Sequence, residues 1–178
     1  PWYGVPDEFD VVVAHGLELT EEGNIDPLLE LRMKWGMMAL DRYRTKHLIV
    51  AGRHGVRDKA IVEVTGVTCA QLMRDWYVDQ GFAGGVHMEN EGTKTFDCSS
   101  AIFGDEGIIR QRVRPRGNVG VLVVSDYFHL LRTRMQDVQI LEGFGVSVFY
   151  TGPITRNNKS IRERTFWELT SGHETLKY

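Results

Sequence analysis

Three short apolar runs, each closed by a polar or glycine-bearing turn, constrain the fold of this chain more than any other feature. Residues 10–14 (DVVVA) lead into His15-Gly16, residues 47–51 (HLIVA) into Gly52-Arg53-His54-Gly55, and residues 119–124 (VGVLVV) into Ser125 and Asp126. These runs are continuous where a half-buried strand would alternate, so each predicts a strand covered on both faces, as in a parallel sheet packed between helices. Weaker strands are expected at 86–88, after Gly84-Gly85, and at 145–150, before Thr151-Gly152-Pro153. Helical patterns fill the intervals: 26–43 with Asp26 as cap and Pro27 at its first position, 68–80, 95–110, and a last helix running to about 142 with Ser125 or Asp126 as cap. Strands alternating with helical crossovers predict an α/β, Rossmann-like three-layer sandwich with a mostly parallel sheet of about five strands. Residues 154–178, with Phe166 and Trp167, are expected to add a peripheral C-terminal helix.

A length of 178 residues suits one domain, and 42% hydrophobic with 25% charged residues excludes a disordered chain or a membrane bundle. The net charge is -3 and the basic residues are scattered, so no nucleic-acid partner is expected. The tightest basic cluster, residues 110–116 (RQRVRPR), reads as a solvated helix end and turn. Cys69 and Cys98 show no zinc-type spacing, which predicts neither a disulfide framework nor a structural metal, and cytoplasm as the default location. No run approaches the roughly 20 apolar residues of a membrane span, so the chain as given is expected to be soluble. It begins at Pro1, which leaves room for a signal or anchor upstream.

In open parallel sheets ligands bind beyond the C-terminal ends of the strands, where helix N-termini present free N–H groups. That rule gathers His15, Gly16, Gly52, Arg53, the segment 89–95, Ser125 and His129. Glu89 precedes the hydroxyls of Thr93 and Thr95 and the carboxylate of Asp97; a carboxylate there suits a ribose or an amine, and the threonines also suit helix capping. His129 and Arg132 share one helical face. Arg32, among apolar neighbours in the first helix, is expected to reach over the sheet end to Glu89 or to an anionic ligand. The cysteines read as core residues. Glu89 and His129 are the candidate catalytic groups; His15, Gly16, Arg32, Gly52, Arg53, Thr95, Asp97, Ser125 and Arg132 are candidate ligand contacts. A metal-dependent hydrolase, with His15, His54, Glu89 and His129 as ligands, is an alternative that no ligand spacing supports.

On these residues the chain resembles the YdcF/SanA/ElyC-like family, whose domain has long been of unknown function. The resemblance spans about residues 10–153. It rests on the first strand and its small-residue loop, Arg32, the loop 52–55, Glu89 with Thr95 and Asp97, and Ser125 with His129 and Arg132. The chain departs from the family pattern at Gly92, where Ser is usual, at Cys98, where Asn is usual, and at Ala51-Gly52-Arg53, where Ser-Gly-Gly is common. The resemblance implies a Rossmann-like fold, an S-adenosylmethionine or nucleotide site and, in some bacterial members, a link to envelope precursor metabolism. The function expected is a small-molecule-binding, enzymatic domain; a non-catalytic ligand-sensing or envelope-associated module is the alternative.

Overall fold

The computed structural model describes residues 7–55, 58–113, 119–141 and 146–153. Five strands, β1 (Val11–His15), β2 (His47–Ala51), β3 (Gly85–Glu89), β4 (Val119–Val124) and β5 (Val146–Thr151), form one sheet in the order β3-β2-β1-β4-β5. Every pairing is parallel. The helices are α1 (Pro27–Tyr43), α2 (Lys59–Thr65), α3 (Cys69–Asp79), α4 (Thr95–Phe103) and α5 (Tyr127–Leu141), with a π-helical turn at Ile109–Val113. The architecture is an α/β Rossmann-like sandwich.

Strand alternation divides the core in two. Val12, Ala14, Leu48, Val50, Leu122 and Val124 pack in one cluster with Leu29, Met33 and Leu40 of α1 and Ala70, Met73 and Tyr77 of α3. Val11, Val13, Ile49, Ala51, Val121 and Val123 point the other way, toward Cys98, Ile102 and Phe103 of α4 and Ile109. Both faces of β1 and β4 are therefore dry, which is why their sequences are continuously apolar.

Several local expectations change. The helix expected over 95–110 ends at Phe103, because Gly104 and Gly107 make a tight turn: a Cβ at either would stand 2.5–2.6 Å from the carbonyl oxygen of Ser100 or Ile102. The cap of α4 is Lys94, without a side-chain bond, so neither Thr93 nor Thr95 caps it. The short α2 is an addition to the expected elements; it follows Asp58, whose carboxylate accepts from Leu19 N at 2.8 Å and Gly55 N at 2.6 Å and ties two strand-end loops together. The C-terminal helix expected at 154–178 lies outside the described residues.

Candidate functional site

The strand order reverses direction between β1 and β4, the point where an open α/β sheet leaves a crevice. His15 closes β1 there, and Ser125-Asp126 follows β4 into α5. Arg32 comes from α1, fully buried, and bridges the two strand ends. Its Nη1 donates to His15 O at 2.6 Å and to Gly16 O at 2.5 Å, while Nη2 donates to Asp126 Oδ2. The expected reach of Arg32 toward Glu89 or a ligand is thus replaced by an internal ion pair. Asp126 suits a cap by its place in the sequence; it does accept from His129 N at 3.0 Å, and it also anchors the guanidinium.

Around this pair lie two buried imidazoles, with the His15 and His129 rings edge to face at 5.8 Å. Burial, then the neighbouring charge of His129, Arg32 and Arg132, holds His15 well below the usual imidazole range. His129 is likewise lowered, by burial first and then by Arg132 and Arg32, against an opposing pull from Asp126. Burial alone would raise Asp126; Arg32 and then His129 outweigh it and keep the carboxyl below its ordinary value. Arg132 Nη2 lies 2.7 Å from His129 Nδ1. A guanidinium can only donate, so Nδ1 accepts and the neutral ring carries its hydrogen on Nε2. Among the described residues, His15 Nε2 and Ser125 Oγ are buried without a hydrogen-bond partner.

Gly16 is tied to this corner by packing. Its N donates to Ala51 O at 2.6 Å, and a Cβ would stand 2.7 Å from that oxygen and 2.8 Å from Cys69 Sγ. Gly16→Ala is expected to destabilise the fold by about 1–3 kcal/mol, read as a lower urea midpoint at unchanged slope. An unchanged midpoint would show that the corner relaxes freely.

The remaining expected residues gather around the end of β3, two strands from β1. Glu89 is buried; Oε1 accepts from Glu91 N at 3.0 Å and Gly92 N at 2.8 Å, while Oε2 lacks a hydrogen bond of normal geometry and lies beside the Cys98 thiol. Burial first, and then Glu89, pushes that thiol far up, so it is inert as a nucleophile. A Cβ at Gly92 would stand 2.7 Å from Cys98 Sγ, 2.8 Å from Cys98 N and 3.0 Å from Glu89 Oε2, so the turn packs too closely for a side chain at 92. Gly52 has φ +133 and donates to Glu89 O at 2.9 Å, linking this corner to β2. Arg53 is half-exposed and pairs with Glu91 at 3.5 Å. Thr95 is half-buried at the start of α4, and Asp97 is exposed in its first turn. Strands spaced by about 4.8 Å put Glu89 on the order of 14 Å across the sheet from β4, so the two corners are separate ends of one strand-end ledge.

Among the described residues no group of three His, Cys, Asp or Glu side chains converges as a metal site, so His15, His54, Glu89 and His129 do not form one. No helix among them is long and apolar enough to cross a membrane. A cavity of about 230 Å³, lined by Leu19, Ile61, Thr65, Val67 and Leu72 among others, lies beside α2 and α3, and none of its walls comes from the His15–His129 cluster. Compared with protein-family models, curated proteins and solved structures, the chain matches none.

Proposed function

We propose that this chain is a small-molecule-binding, enzymatic domain whose ligand lies along the strand ends, with its reacting part between β1 and β4. What carries the reading is that His15 Nε2 and Ser125 Oγ, with Arg32 Nε, are buried at the switch point without a partner among the described residues. Native interiors pair nearly all such atoms, and those left over at the mouth of a parallel sheet are what a ligand would satisfy. The N-terminus of α5 adds partial positive charge at this end, so an anionic group fits there, toward Arg132. Glu89, across the ledge, suits a hydroxyl or an amine. A ligand with both ends is adenosyl- or nucleotide-like, in keeping with the S-adenosylmethionine or nucleotide site that the family resemblance implies.

The turn after β1 holds Gly16 alone rather than the G-x-G-x-x-G run of dinucleotide sites, which favours a ligand with one nucleoside. In this reading Glu89 with His129 supplies the hydrogen bonding or proton transfer. Calorimetric titration of S-adenosylmethionine and of adenine nucleotides into the chain tests it. Binding is expected for one of them, weakened about tenfold or more by Glu89→Ala and by His129→Ala. Absence of heat from every ligand would overturn the proposal.

A further inference from the structure

At the opposite end of the sheet from the crevice, a second pair of histidines comes together. β2 begins at His47, and the register sets His47 against Gly85 and Ile49 against His87, so both imidazoles rise from the same face of neighbouring strands. His47 Nδ1 and His87 Nε2 stand 3.2 Å apart, with the rings inclined by only 19°. Gly85 lies beside both rings: a Cβ there would be in ordinary contact with them, 3.4 Å from His47 Nδ1 and 3.5 Å from His87 Nε2. Both residues are half-buried.

We propose that His47 and His87 form a two-imidazole site for a divalent transition-metal ion of the zinc class, completed by water. Two nitrogens bound tetrahedrally at 2.0–2.1 Å to one ion lie about 3.3 Å apart, close to the separation that the sheet register already imposes. Imidazole nitrogen suits zinc, copper and nickel, and it binds them in the neutral form. On binding, the hydrogen between the two nitrogens moves to the far nitrogen of its own ring, so that both lone pairs face the ion. Arg112, on the π-helical turn and near His87, opposes a cation, so its removal tightens the site.

The test is calorimetric titration of zinc chloride into the chelator-treated full chain at pH 7.5, with cobalt absorption as a second readout of tetrahedral geometry. One equivalent is expected to bind. His47→Gln or His87→Gln should weaken it about tenfold or more, Arg112→Ala should strengthen it, and His54→Gln should leave it unchanged. Urea unfolding of each variant confirms that the fold is retained. No zinc uptake by the unaltered chain, or uptake that survives both histidine substitutions, would overturn the proposal.

Discussion

Replacing Arg32 with alanine should destabilise the fold by about 3–5 kcal/mol, the range for removing one partner of a buried ion pair. The magnitude follows from what is left behind. Asp126 would keep a buried carboxylate whose favourable neighbour is gone, and the carbonyls of His15 and Gly16 would lose their donor. Arg32→Met combined with Asp126→Asn should recover a large part of the loss. Methionine refills the volume, and asparagine keeps an acceptor for His129 N without the charge. Urea unfolding of the two singles and the double measures the coupling. A loss below about 1 kcal/mol for Arg32→Ala would be the size of an exposed pair and would contradict the buried bridge.

Asp137 of α5 gives the second large effect, through pH. Ser99 Oγ donates to its Oδ1 at 2.6 Å and Tyr150 OH to its Oδ2 at 3.0 Å. Burial outweighs both bonds and raises the carboxyl from 3.8 to about 6. The folded value thus lies above the unfolded one, so this group's contribution to stability is complete below pH 3.8 and is lost as pH rises through 6. A carboxyl raised that far makes a difference of about 3 kcal/mol between its protonated and ionised forms. His15 and His129 act with the opposite sign. Their folded values lie below the unfolded 6.5, so stability is lost as pH falls through 6.5 and their imidazoles are drawn toward protonation. Subtracting the stability curve of Asp137→Asn from that of the unaltered chain removes the histidine contribution common to both. The difference between pH 4 and 8 should fall by about 2.5 kcal/mol; a flat difference would mean that the carboxyl titrates normally.

The sheet was legible in the sequence where strands are buried on both faces. Val11 to Ala14, Leu48 to Ala51 and Val121 to Val124 are almost fully buried, and continuous apolar runs are what such positions require. β3 and β5 lie at the edges, where His87 is half-buried and Ser147 exposed, and their signals are correspondingly weak. The strand-end rule also selects His15, Ser125 and His129, which the fold does bring to one corner. What no local pattern could reveal is pairing across distance. Arg32 and Asp126 are 94 residues apart, and the cap-like position of Asp126 gives no sign of its second partner. The separation of Glu89 from His129 depends on strand order, which the alternation of strands and helices leaves open. The meeting of His47 and His87 likewise depends on the register of β2 and β3.

Occupation of the crevice between β1 and β4 by a ligand is the central claim. The most direct measurement is a crystal structure of the chain soaked with S-adenosylmethionine or an adenine nucleotide. Density is expected at the end of β1 and the start of α5, with polar atoms within hydrogen-bonding distance of His15 Nε2 and Ser125 Oγ and an anionic group toward Arg132. Density confined to the apolar cavity of Leu19, Ile61 and Leu72, with the crevice still closed around His15, would contradict it.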